Sequence, residues 1–92
     1  MNTWMASKPS DKIAEAIAKM NAATDMVTRS VCEYAGDDEH FALWLNLANA
    51  RVMRITSMTI NDLPDYLWRD AYDEGMSPRE AASDMLLATE DF

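Results

Sequence analysis

Apolar side chains recur with a helical spacing along the first third of the chain. Steps of four and three residues alternate along this series, as in a heptad seam on one side of an α-helix. Its members are Ile13, Ile17, Met20, Thr24, Val27, Val31 and Tyr34. Ser10 suits the N-cap, and Gly36 suits the left-handed residue that commonly ends a helix. The pattern therefore predicts one continuous helix over about 10–35.

A second seam with the same spacing follows after a very short turn. Its members are Phe41, Leu45, Ala48, Val52, Ile55 and Thr59, and Trp44, Leu47 and Met58 widen it on one flank. Either Asp37 or Asp38 supplies the N-cap of this helix, which is predicted over about 38–60. Two long helices joined by so short a turn run antiparallel, as a helical hairpin with matched seams.

Two shorter helices are predicted in the last third. Asp62 and Pro64 suit the first turn of a helix over about 63–74, whose apolar side holds Leu63, Leu67, Trp68, Ala71 and Tyr72. A capping box from Ser77 to Glu80 opens a helix over about 78–90. The fold class is therefore predicted to be all-α, a long antiparallel hairpin plus two short C-terminal helices. We expect one small helical bundle, with residues 1–92 as a single domain.

One side of the second helix carries no charge, whereas a solvated helix face normally holds Lys and Glu. Asn46, Asn49, Met53 and Ser57 mark this face and are the candidate residues for assembly. Either the C-terminal helices cover this side or another chain does, and the sequence leaves both possibilities open. A homodimer through the hairpin is one such arrangement, and Trp4 and Met5 could latch onto the bundle or onto a second subunit.

The charge of the chain is distributed unevenly. The net charge is −8, and residues 62–92 hold nine acids and two bases, so that −9 + 2 = −7 of it lies there. Such an asymmetry favours a surface that docks on a basic partner, because opposite charges speed the encounter. The candidate partner-binding residues are Asp62, Asp65, Asp70, Asp73, Glu74, Glu80 and Asp84.

The only histidine, His40, follows three acids, which raises the question of a metal or acid–base site. Consecutive residues at a helix start point in different directions, and no second histidine is present to complete a two-histidine site. These acids are better explained as a helix cap and its first turn. Because no nucleophile motif or glycine-rich phosphate loop is present either, we expect a non-enzymatic protein with no catalytic residues, metal ligands or cofactor.

The stretch YDEGMSPREAASDML resembles the first helix, turn and second-helix start of helix-turn-helix DNA-binding domains. It departs from that family because no basic recognition helix follows it. DNA affinity rests on Lys and Arg that neutralise phosphates, whereas this part of the chain is strongly acidic. We therefore expect no direct contact with nucleic acid.

The favoured functional hypothesis is a protein-binding module whose acidic helices block a basic, nucleic-acid-binding type of surface on a larger protein. In its size, acidity and lack of catalytic residues the chain is similar to small inhibitors encoded by phages and mobile elements, such as anti-CRISPR and anti-restriction proteins. One alternative is a structural or adaptor subunit that assembles through the uncharged face, and another is a small-ligand-binding helical protein. We expect no contact with a membrane and a cytoplasmic location, since no apolar stretch approaches roughly 18 residues and no signal peptide precedes the first helix.

Overall fold

The computed structural model of the chain describes residues 2–60 and 66–90, with side chains up to residue 87. Its helices in chain order are α1 (Thr3–Ala6), α2 (Ser10–Ala22), α3 (Met26–Ala35), α4 (Glu39–Thr56), α5 (Trp68–Asp73) and α6 (Pro78–Glu90). The described residues contain no strand, so the predicted all-α helical bundle is confirmed.

Helix α4 is the centre of the bundle. It packs most extensively against α3 and α6, and also contacts α2 and α5. Trp44, Leu45, Ala48 and Val52 are fully buried along it, which accounts for the apolar spacing of its sequence. The ring of Trp44 lies 5.6 Å from that of Tyr72, in an edge-to-face arrangement that couples α4 to α5.

The range 10–35, predicted as one helix, holds two helices separated by a break at residues 23–25. Ala23 has an extended backbone, and the carboxylate of Asp25 accepts hydrogen bonds from the backbone N–H and the hydroxyl of Thr28 at 2.9 and 2.8 Å. The guanidinium of Arg29 donates to the carbonyl oxygen of Met20, near the end of α2. The break is stable because these contacts satisfy helix ends that would otherwise be unpaired.

The break also divides the first predicted seam. Met20 and Val31 are buried, whereas Thr24 and Tyr34 are exposed. Ile13, Ile17 and Val27 are half-buried. The two seams therefore do not pack along their whole length as a coiled coil. Each of the shorter helices buries its own few positions against α4.

The second long helix ends earlier than its predicted limit near residue 60. Ser57 adopts the left-handed conformation with φ 62°, which stops α4 at Thr56. The chain then turns back, and the backbone N–H of Ile60 donates to Oδ1 of Asn49 at 2.9 Å. This side-chain acceptor holds the turn against the helix that it has just left.

The third predicted helix begins later than expected, at Trp68, and its predicted start around Asp62 and Pro64 lies outside the described residues. Tyr66 and Trp68 pack edge to face at 4.7 Å between ring centroids. Residues two apart do not face each other on a helix, so this pairing requires a non-helical backbone at 66–67. Leu67, which was predicted on the apolar side, consequently points into solvent and is 72% exposed.

Several caps agree with the local sequence signals. The backbone N–H of Glu80 donates to Ser77 Oγ at 3.1 Å, and that of Ser77 donates to Glu80 Oε1 at 3.2 Å, as a capping box requires. Asp38, rather than Asp37, caps α4 by accepting from the N–H of Phe41 at 3.1 Å. Gly36, with φ 77°, ends α3 as predicted.

Candidate protein-binding surface

Three of the predicted partner-binding acids converge on one shallow groove. We call it the acidic groove; it has a volume of about 320 Å³ and is lined by Tyr66, Leu67, Asp70, Ala71, Glu74, Met76 and Asp84. Asp70 lies on α5, Glu74 follows one turn later, and Asp84 projects from the neighbouring α6. Packing of α5 against α6 therefore brings carboxylates from separate parts of the sequence to one surface.

Tyr66 fixes one of these carboxylates. Its hydroxyl donates to Asp84 Oδ2 at 2.6 Å, which holds the Asp84 side chain in a defined direction. Burial, the hydrogen bond to Asp84 and the negative charge of Glu74 all raise the pKa of the Tyr66 phenol. The phenol therefore remains a hydrogen-bond donor at neutral pH, and the charge at this groove resides on the carboxylates.

The other predicted acids have different surroundings. Asp73 Oδ1 lies 3.4 Å from Arg69 Nε, outside the acidic groove, and its charge is partly balanced there. Glu80 is engaged in the capping box of α6. Asp62 and Asp65 lie outside the described residues. The structure thus divides the predicted acidic set into groove carboxylates and carboxylates with structural contacts.

Arg69 connects α5 to the start of α4. Its Nη1 lies 3.1 Å from Asp38 Oδ2, and its guanidinium sits over the ring of Phe41 at 4.9 Å. Partial burial by itself would raise the pKa of Asp38, but the hydrogen bonds from the Phe41 N–H and from Arg69 outweigh it. The pKa of Asp38 is therefore lowered. This cluster is a structural clamp between helices.

The four residues proposed as an assembly face do not lie on one exposed surface. The side-chain amide of Asn46 donates to the Ala42 carbonyl oxygen at 2.9 Å, and Asn49 is only 2% exposed beneath the turn that contains Ile60. Met53 and Ser57 are exposed. The absence of charge on this side of α4 is largely explained by the chain itself, which covers the two asparagines.

A second surface, which the sequence interpretation did not single out, carries the opposite charge. We call it the arginine groove. It consists of two adjoining depressions of about 390 and 210 Å³ that share Leu47 and Arg51, and the other lining residues are Trp4, Ala50, Arg54, Ser77, Pro78 and Arg79. One sequence signal could have indicated it, since Arg51 and Arg54 are the only Lys, Arg, Asp or Glu residues between Glu39 and Asp62.

His40 lines a third depression, between α1, α2 and the start of α4. This cavity has a volume of about 400 Å³ and mostly apolar walls that include Met5, Ile13 and Ile17, with Lys8 near them. Within residues 2–60 and 66–90 no three His, Cys, Asp or Glu side chains form a group that could hold a metal ion. His40 therefore belongs to the wall of an apolar cavity.

Comparison with protein-family models, with curated proteins and with solved structures finds no match for this chain. In the part of the chain that the structure describes, none of the helices has the length and apolar character needed to cross a membrane.

Proposed function

We propose that this protein is a non-enzymatic binding module whose acidic groove docks on a basic surface of a larger protein. The observation that carries the proposal is the convergence of Asp70, Glu74 and Asp84 on one groove. Leu67 beside them and Leu87, one helical turn beyond Asp84, are 72% and 62% exposed. Exposed leucines next to the groove carboxylates supply the apolar contact that a protein interface needs in addition to charge.

The proposed mechanism is occlusion. Carboxylates spaced along two packed helices offer anionic groups to Lys and Arg side chains that would otherwise contact phosphates. The concentration of negative charge in the last third accelerates the encounter with such a basic surface. The protein would thereby act as an inhibitor that mimics nucleic acid, of the kind that phages and mobile elements encode against CRISPR or restriction systems. The cytoplasm is the compartment in which it would meet such partners.

The proposal is tested by capturing proteins from a cell lysate on the immobilised chain and on two triply neutralised variants. One variant carries Asp70→Asn, Glu74→Gln and Asp84→Asn; the control carries Asp11→Asn, Glu15→Gln and Glu33→Gln, which removes equal charge elsewhere. We expect basic proteins on the wild type and the control but not on the groove variant, and duplex DNA should displace them. Equal capture by all three proteins, or no displacement by DNA, would contradict the proposal.

A second candidate function is the binding of a small apolar molecule in the cavity lined by His40. What supports it is the cavity volume of about 400 Å³ with walls from Met5, Ile13 and Ile17, which lies within the range of small-molecule sites. A thermal-shift screen of apolar compounds tests it, with Ile17→Trp as a variant that fills the cavity. A compound that stabilises the wild type and leaves Ile17→Trp unaffected would support this function, and the absence of any such compound would count against it.

An adaptor subunit that assembles through the uncharged side of α4 would have a smaller interface than the sequence suggests. Because Asn46 and Asn49 face their own chain, assembly through the uncharged side of α4 would rest on Met53 and Ser57 alone. A homodimer through the hairpin would need these residues at its interface. Met53→Arg would then abolish self-association while leaving the helical circular dichroism unchanged.

A further inference from the structure

We infer that the arginine groove of one copy receives the acidic groove of a second copy, so that the protein forms a reciprocal dimer through surfaces of opposite charge. This inference goes beyond the proposed function. It assigns a role to a surface that docking on a basic partner leaves unused, and it names the residues of both halves of an interface.

The arginine groove contains guanidinium groups that are available to bind carboxylates. Within the described part of the chain, Arg51, Arg54 and Arg79 form no ion pair, whereas Arg69 is paired with both Asp38 and Asp73. The Nε atom of Arg51 is buried and has no hydrogen-bond acceptor. Buried donors are normally satisfied, and a guanidinium is suited to two-pronged contact with a carboxylate. A carboxylate from outside can reach the exposed side chains of Arg54 and Arg79, whereas the enclosed Nε of Arg51 is not accessible to it.

The lining of the arginine groove is apolar as well as basic. Leu47 is 42% exposed at the point where the two depressions meet, and Trp4 and Pro78 form walls of the larger one. A phosphate backbone would satisfy the arginines but would leave the exposed Leu47 without an apolar partner. A protein segment that carries both carboxylates and large apolar side chains matches the whole lining.

The acidic groove of the same chain has this composition. It presents Asp70, Glu74 and Asp84, with exposed Leu67 inside it and exposed Leu87 one turn away. Three carboxylates would thus face three unpaired arginines, and leucines would be present on both sides. Each copy carries a net charge of −8, but charges separated by more than about 8 Å are screened at physiological ionic strength. The contacts within the interface therefore decide its stability.

Both grooves draw on α6. Arg79 lies near its start and Asp84 lies five residues later, about 7.5 Å along the helix axis and about 140° around it. The two grooves therefore flank α6 on different sides. A two-fold axis near this helix would place Arg79 of each copy against the acidic groove of the other copy. Such an arrangement closes on itself and forms every contact twice, once in each direction, which is the usual form of a homodimer. The dimer would also cover the acidic groove, so a second copy and a basic partner would compete for it.

The experiment measures mass by sedimentation velocity on the full chain and on two charge-reversed variants. The first carries Arg54→Glu and Arg79→Glu, and the second carries Asp70→Arg and Glu74→Arg. All four positions are exposed, so folding should persist and is checked by circular dichroism. The control carries Lys12→Glu and Lys19→Glu, which also replaces two exposed cations but outside both grooves.

We expect the wild type and the control to dimerise with a Kd on the order of tens of micromolar. Each charge-reversed variant alone should be monomeric, because like charges would then face each other. An equimolar mixture of the two variants should form a one-to-one dimer, since the reversed charges match again.

A wild type that stays monomeric to about 1 mM, or a mixture that fails to dimerise, would overturn the inference. So would tight binding of single-stranded oligodeoxythymidine that depends on Arg54 and Arg79, because phosphate would then be the natural occupant. The variant with Arg54→Glu and Arg79→Glu retains its acidic groove and should still capture a basic partner. Failure of the dimer and failure of the proposed function are therefore separate results.

Discussion

The side-chain amide of Asn2 donates a hydrogen bond to the carbonyl oxygen of Met76 across 2.9 Å, although the two residues lie 74 positions apart in the sequence. The same amide nitrogen donates to the Tyr72 carbonyl oxygen at 2.7 Å, and the indole N–H of Trp44 also reaches the Met76 carbonyl at 2.9 Å. Asn2 is only 3% exposed. The beginning of the chain is therefore part of the structure that fixes α5 relative to α6, and so it supports the acidic groove.

Asn2→Asp should destabilise the protein strongly at neutral pH. A carboxylate in this place would face two carbonyl oxygens to which it cannot donate. It would also carry a negative charge in a buried site where only the Met5 N–H donates to it. We expect a loss of about 3 kcal/mol or more in the free energy of unfolding, measured by urea denaturation at pH 7. The loss should shrink towards pH 4, where protonation restores one donor.

Asn21→Asp is the matched control for this substitution, because Asn21 is exposed and its amide contacts only Glu39. This control substitution should lower the free energy of unfolding by less than about 1 kcal/mol. Equal effects of the two substitutions would show that the contact between Asn2 and Met76 contributes little to the fold.

Because of the break between α2 and α3, the positions of the first predicted seam differ in how deeply they are buried. Val31 is fully buried, and a charge placed there has no partner, so Val31→Asp should leave the chain unfolded at 25 °C. Tyr34→Asp, at a seam position that is 58% exposed, should retain the native circular dichroism and a cooperative thermal transition. Val27→Asp should fall between them because Val27 is half-buried. A continuous seam would instead predict similar damage at all three positions.

The clamp between Asp38 and Arg69 predicts a dependence of stability on pH. The folded state holds the pKa of Asp38 below its usual value of 3.8. The stabilisation that the Asp38 carboxylate provides is therefore present above pH 3.8. It is lost as the pH falls through the lower pKa that Asp38 has in the folded state. Asp38→Asn can still cap α4 but cannot pair with Arg69 as an anion. Urea denaturation at pH 6 and pH 3 should show that the free energy of unfolding falls less on acidification for this variant than for the wild type. An identical fall in the two proteins would show that Asp38 does not contribute to the pH dependence.

The sequence-based predictions were most accurate for features that depend on interactions between residues close together in the sequence. The start of α6 was predicted correctly because Ser77 and Glu80 cap it within four residues of sequence. The break at residues 23–25 was missed because apolar spacing continues across it. The relevant local signal is Asp25 three residues before Thr28, the spacing of an N-cap residue and the N–H that it accepts from. Local capping outweighed a seam that has no continuous partner to pack against.

The candidate surface was predicted in composition but not in shape. The excess of acids in the last third indicated a charged surface, yet only packing of α5 on α6 shows which carboxylates meet. Glu80 was counted among the surface acids on its charge, although the capping box with Ser77 already assigned its carboxylate to the start of α6. The arginine groove was missed because Trp4, Arg51 and Arg79 belong to three different helices, which only the tertiary fold brings together.

The most direct measurement of the central claim is the affinity of the acidic groove for a purified captured partner, determined by titration calorimetry at low and high salt. The variant with Asp70→Asn, Glu74→Gln and Asp84→Asn is compared with the control that carries Asp11→Asn, Glu15→Gln and Glu33→Gln. Both have a net charge of −8 + 3 = −5. We expect the groove variant to bind at least about tenfold more weakly and with less dependence on salt, while the control stays close to wild type. Equal weakening in the two variants would mean that net charge alone drives binding, and the claim for the groove would be contradicted.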